Sequence, residues 1–130
     1  MATYKAPLRD MQFVMQDLLN IEKHYQSLPD CDEVNQELID AILDEASKFS
    51  EEVVAPLNAV GDEVGCRLVD EGEVRTPPGF KEAYQQYVEG GWPSLEQPTD
   101  YGGQGLPMSL GTTIREMNGT ANWAWAMYPG

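Results

Sequence analysis

The sequence has one histidine, two cysteines, few basic residues and no long apolar run, and each shortage removes a class of function. His24 stands beside Lys23 and Tyr25 with no cysteine or serine near it in sequence. A typical zinc site needs several such ligands, and a catalytic triad needs a nucleophile for the imidazole to activate. His24 therefore reads as a surface or packing residue, and no metal site is expected. Cys31 and Cys66 lie far apart and in no metal-ligand spacing, so they read as free thiols in a reducing cytoplasm. No stretch approaches the roughly 18 apolar residues of a membrane span. The opening Met1-Ala-Thr-Tyr-Lys-Ala-Pro7 has no apolar segment behind a basic one, unlike a secretory signal. Without such a signal, Asn118-Gly119-Thr120 matches a glycosylation acceptor only by chance. Eight Lys and Arg face 22 Asp and Glu, a net charge of −14. Nucleic acid and anionic membranes repel such a chain, and both are set aside as partners. The acidic pairs Asp44-Glu45, Glu51-Glu52 and Asp70-Glu71 read as solvated surface, because no third group converges on them for acid–base work.

What the sequence does have is helical periodicity. Its 130 residues are one domain's worth, and 42% are hydrophobic, enough to build a core. A first helix is expected after Asp10 as N-cap, with Met11, Val14, Met15, Leu18, Leu19 and Tyr25 recurring at helical spacing up to Pro29-Asp30. A second begins near Asp32 or Glu33. Its stripe of Val34, Leu38, Ile42, Leu43, Ala46, Phe49, Val53 and Val54 is the strongest periodic signal in the chain. Pro56 should kink or stop it, and Asp62, Glu63 and Gly65 form its exit. Residues 66–76 read as a loop with a fragment of strand at Arg67, Leu68 and Val69. Pro77 and Pro78 suit the first turn of a third helix, whose face is Phe80, Ala83, Tyr84, Tyr87 and Val88 and whose stop is Gly90-Gly91. Breakers crowd residues 92–108, an ordered loop. Ser109 is expected to cap a fourth helix with Leu110, Ile114 and Met117 inward, broken at Asn118-Gly119. Thr120 or Asn122 would cap a fifth. No strand pattern of any length alternates, so the class is all-α, a helical bundle.

Two motifs resemble known chemistry without meeting its requirements. Gly102-Gly103-Gln104-Gly105 follows no strand and lacks both the dinucleotide fingerprint and the Gly-Lys-Ser/Thr ending of a phosphate loop. It reads instead as a tight turn that lets two backbones approach. An acyl carrier would need a modifiable serine, usually in Asp-Ser-Leu, whereas Ser94-Leu95 follows Pro93. The aromatic-rich end, Trp123 to Tyr128, fits either core packing or the wall of an apolar pocket.

Read in order, these pieces resemble the amino-terminal helical domain of the acyl-CoA dehydrogenase family. Phe49-Ser-Glu-Glu-Val-Val-Ala-Pro56 with Asp62-Glu-Val-Gly65 looks like the family's long helix and its exit. Gly90-Gly91-Trp92-Pro-Ser-Leu95 followed by Pro98-Thr-Asp-Tyr101-Gly102-Gly103-Gln-Gly105-Leu106 looks like its Tyr-Gly-Gly loop, with Asp100 where Glu is common. Ile114-Arg-Glu116-Met is similar to the helix after that loop. Tyr4-Lys-Ala-Pro-Leu-Arg-Asp-Met-Gln-Phe-Val14 resembles a longer-headed subgroup that includes 3-(methylthio)propionyl-CoA dehydrogenases.

The resemblance implies an FAD enzyme that oxidises an acyl-CoA thioester between its α and β carbons. A carboxylate removes the α proton, and a hydride passes from the β carbon to the flavin. It further implies that the base and most FAD contacts belong to regions outside this sequence, so no catalytic residue is assigned and the chain alone is expected to be inactive. Residues 1–30 would form an amino-terminal extension, and residues 31–130 the family's helical domain, truncated at its carboxyl end. Ala124, Met127 and Tyr128, with Trp125 beside them, match the positions that line the acyl cavity and are the candidate substrate-binding residues. An electron-transfer flavoprotein or similar acceptor, a homo-oligomer once complete, and a cytoplasmic location are further implications. The competing reading is a free-standing acidic helical interaction module with the Trp/Tyr end as its partner face.

Overall fold

A computed structural model describes residues 3–129 as a bundle of seven α-helices with one small hairpin. The expected all-α class holds, and several boundaries differ for identifiable reasons. The first helix begins before Asp10. Leu8–Gln12 (α1) follows Pro7, which brings no N–H to a position that needs none. Asp10 lies inside the helix, in its first turn, where its charge complements the helix dipole. The helix then widens into a π-helical turn, Phe13–Leu18, closed by Leu19 N–H donating to Val14 O at 3.0 Å. Asn20, with φ of 47°, breaks the path, and Ile21–Gln26 (α2) resumes it. The wider turn and the break change the angular spacing. Met11, Met15, Ile21 and Tyr25 are buried, while Val14, Leu18 and Leu19 face outward.

The long second helix starts at Gln36 rather than near Asp32, because Asn35 supplies the cap: its Oδ1 accepts from Leu38 N–H at 2.9 Å. Gln36–Phe49 (α3) passes into a second π-helical turn, Ser50–Val54, where Ala55 N–H donates to Ser50 O at 2.9 Å. This turn shifts the hydrogen-bond register just ahead of Pro56, which has no N–H to give. The chain therefore kinks and continues as Leu57–Val64 (α4). Gly65 ends it at φ 64°, ψ −179°, a conformation that favours glycine.

Arg67–Leu68 (β1) pairs antiparallel with Val74–Arg75 (β2) across a turn that places Glu71 and Gly72 at positive φ. Two residues are too few to show alternation, so β2 left no trace in the pattern. Pro77 and Pro78 precede the third expected helix rather than opening it. Phe80–Glu89 (α5) follows Gly79 at φ 86°. Phe80, Ala83 and Tyr87 turn inward, whereas Tyr84 and Val88 are exposed.

Met108–Ala121 (α6) runs unbroken through Asn118-Gly119. A Cβ at Gly119 would stand 3.2 Å from the Trp123 ring, so that glycine serves close packing and does not end the helix. Ser109 is not the cap; its hydroxyl lies 2.7 Å from that of buried Tyr25. Asn122 is the expected cap of Trp123–Ala126 (α7), its Oδ1 accepting from Trp125 N–H at 3.1 Å.

Two apolar clusters form the core. One joins Met11, Met15 and Tyr25 to Ile39, Leu43, Leu110 and Met117, so the segment from Ala6 to Leu28 shares a core with α3 and α6. The other gathers Val54, Phe80, Ala83, Tyr87, Ala121 and Trp125. Ser50 and Asn118, both buried, tie the π turn to α6 through a hydrogen bond of 2.8 Å from Ser50 Oγ to Asn118 Oδ1. Among the described residues, no helix is long and apolar enough to cross a membrane.

Candidate functional site

The four candidate residues lie within one short stretch and face different surroundings. Trp125 is fully buried. Its ring packs against Tyr87 and Phe49, with centroids at 5.7 and 5.8 Å, and its Nε1–H donates to Phe80 O at 3.2 Å. Every part of this side chain is thus occupied by the core. Ala124 is exposed, as are Met127 at 66% and Tyr128 at 47%.

Met127 and Tyr128 open onto separate cavities. Met127 lines a cleft of about 410 Å³ with Trp123, Ala126, Tyr87 and Arg115. Tyr128 lines a second cavity of about 360 Å³ with Val74, Thr76, Phe80 and Tyr84, where its ring meets Phe80 edge-on at 6.0 Å. Its hydroxyl lies 3.3 Å from the Cys66 thiol, and that hydrogen bond, with partial burial, raises the phenol's pKa above its ordinary value. The α7 end therefore offers apolar surface at both Met127 and Tyr128, and the buried Trp125 anchors α7 in the core. Both surfaces have the apolar, aromatic lining that ligand pockets favour.

Sequence spacing gave no warning of the polar groups nearby. Arg115 Nη1 donates to Glu96 Oε2 at 2.9 Å, joining α6 to the glycine-rich loop, and this bond raises the Arg115 pKa further. Glu96 Oε1 is buried without a partner. The pair borders the Met127 cleft through Arg115. Only folding brings together residues 19 positions apart on a loop and a helix.

The loop itself is not a phosphate cradle. Its amides are engaged internally: Gly102 N–H donates to Thr99 O, Gly103 N–H to Pro98 O, Gln104 N–H to Ser94 O and Gly105 N–H to Gln97 O, all within 3.0 Å. A Cβ at Gly103 would meet Gln97 O at 1.9 Å, the close backbone approach expected of this glycine. His24 is exposed, Cys31 is buried in the core and Cys66 is exposed. Among the described residues, no three of His, Cys, Asp or Glu converge as metal ligands.

No family model matches the chain. A 3-methylmercaptopropionyl-CoA dehydrogenase of Ruegeria pomeroyi is 36% identical to it over 127 residues, which is 98% of this chain and 21% of that protein. A butyryl-CoA dehydrogenase of Syntrophomonas wolfei is 31% identical over 132 aligned positions, covering 96% of this chain and 21% of that protein. The chain thus spans about a fifth of the length of the curated relatives it matches.

Proposed function

From a chain related to the acyl-CoA dehydrogenases over nearly its whole length, we propose a role as one helical part of a longer FAD-dependent acyl-CoA dehydrogenase. The observation that carries this reading is the pair of alignments, each to a dehydrogenase of an acyl-CoA thioester and each covering almost all of this chain. The reaction is the removal of a proton from the α carbon and a hydride from the β carbon, the hydride passing to FAD. The flavin supplies that redox chemistry, and the protein supplies orientation and exclusion of water.

The amides of the glycine-rich loop bond within it and are not free to cradle a phosphate. In this reading, as in the family the chain resembles, FAD is held mainly by other parts of the enzyme, and no catalytic step is assigned to this chain. Its contribution is part of the acyl cavity. Met127 and Tyr128 present exposed apolar surface to a ligand, Ala124 leaves room beside them, and Trp125 holds α7 in place. An electron-transfer flavoprotein or similar acceptor, homo-oligomeric assembly and a cytoplasmic setting complete the proposal.

The test is chain-length preference in the complete enzyme. Met127→Ala and Tyr128→Ala should each shift the kcat/KM ratio between short and long acyl-CoA thioesters by about tenfold, the scale of a methylene or two gained in an apolar pocket. An unchanged ratio in both variants would remove this stretch from the cavity.

A further inference from the structure

The cleft beside Met127 carries hydrogen-bond donors that its apolar wall does not use. Tyr87 lines it from α5, Arg115 and Asn118 from one face of α6, and Trp123, Ala126 and Met127 from α7 and its end. Tyr87 and Asn118 are only 8% and 3% exposed. Asn118 Oδ1 accepts from Ser50 Oγ, but Asn118 Nδ2 and the Tyr87 hydroxyl have no hydrogen-bond partner among the described residues. Arg115 donates through Nη1 to Glu96 and through Nη2 to Thr112, which engages two of the five N–H groups a guanidinium offers. Buried donors left unpaired are costly, so this corner of the cleft is short of an acceptor. Burial raises the Tyr87 pKa, which keeps its hydroxyl protonated and able to donate; the Arg115 charge lowers it and that of Glu96 raises it.

Glu96 decides what charge that acceptor can carry. Its Oε2 already neutralises Arg115, and its Oε1 is buried without a partner. A carboxylate brought to Arg115 would meet this second acid, whereas an ether or keto oxygen accepts hydrogen bonds without adding charge. Trp123, Ala126 and Met127 supply apolar surface beside the donors, which suits a ligand that is otherwise hydrocarbon. Resting on the reading of Met127 as part of the acyl cavity, we propose that Tyr87, Arg115 and Asn118 select acyl-CoA thioesters whose chain carries a neutral oxygen acceptor beyond the β carbon.

The probes are CoA thioesters of equal chain length, offered to the complete enzyme. One chain is all carbon, one ends in a carboxylate, and in the others an ether oxygen replaces each methylene in turn beyond the β carbon. The best-placed ether should exceed the all-carbon chain about tenfold or more in kcat/KM, and the carboxylate should fall below that ether. Tyr87→Phe removes the hydroxyl and keeps the ring that packs on Phe49 and Trp125, so folding should be preserved. It should cut the ether-to-all-carbon ratio about three- to tenfold, the scale of one neutral hydrogen bond. Arg115→Lys keeps the charge beside Glu96 but loses the planar set of donors, and it should lower the ratio as well. Turnover of the all-carbon chain with no ether preferred, or a preference that both variants retain, would overturn this proposal and leave the acyl-cavity reading standing. So would a carboxylate preferred to every ether. If no thioester of the set is oxidised, the dehydrogenase reading itself fails, and this inference falls with it.

Discussion

Trp125 and Trp123 sit two positions apart and should respond oppositely to truncation. Trp125→Ala removes a fully buried ring, its contacts with Phe49 and Tyr87 and its hydrogen bond to Phe80 O. A loss of about 3–5 kcal/mol in urea denaturation is expected, as for other buried aromatic deletions. Trp123 is 69% exposed, and Trp123→Ala should change stability by only about 0.5 kcal/mol. Equal losses would contradict the packing described. Gly103 and Gly102 also differ in why they are glycine. Gly103 is hemmed in by the Gln97 carbonyl, whereas Gly102 has open space but a φ of 82°. Gly103→Ala must move backbone and should destabilise by about 1–3 kcal/mol in the same measurement. Composition marked both glycines as turn residues. It could not distinguish steric approach from backbone conformation, which depends on the partner strand of chain.

At the scale of elements, periodicity located the helices and misjudged some of their faces. The two π-helical turns, Phe13–Leu18 and Ser50–Val54, shift the angular register, and a 3.6-residue template cannot follow them. That is why Val14, Leu18 and Leu19 point outward against expectation, and why Ser50 points inward to Asn118. The second turn also anchors the amino-terminal arm. Glu51 Oε2 accepts from Lys5 Nζ at 2.5 Å and its Oε1 from Ala6 N–H at 2.9 Å. The Lys5 hydrogen bond first, then that of Ala6, holds the Glu51 carboxyl below the ordinary carboxylate value of 4.5. A lowered folded pKa stabilises the fold above the unfolded value, and that stability is lost as pH falls through the lowered one. The same bond raises the Lys5 pKa, so the lysine's share persists until pH rises past the ordinary lysine range. Wild type should therefore exceed Glu51→Gln in stability near neutrality, and the gap should close as pH drops below about 4.5. Denaturation midpoints across acid pH give the answer. A gap that is constant down to strongly acid pH would mean that the arm is not held by this carboxylate. Because the pair is exposed on the lysine side, salt should also narrow the gap.

For the molecule as a whole, class and family were legible because each signal is local. Helical stripes, the Ala-Pro kink, the glycine loop and the following helix occur in order along the chain, and the two dehydrogenase relatives align over almost all of it. The candidate site was legible only as a stretch, residues 124–128. Which side chain is core and which is exposed depends on α5 and the hairpin, elements brought there by folding. The Arg115–Glu96 pair has no sequence signature for the same reason. The central claim, that this helical unit serves a flavin-dependent acyl-CoA dehydrogenase, is tested most directly by visible absorbance. The polypeptide of the complete reading frame containing this sequence would be purified and mixed anaerobically with a panel of acyl-CoA thioesters. The account expects a yellow protein whose flavin bands bleach with at least one thioester. A colourless protein, or flavin bands that no thioester bleaches, would contradict it.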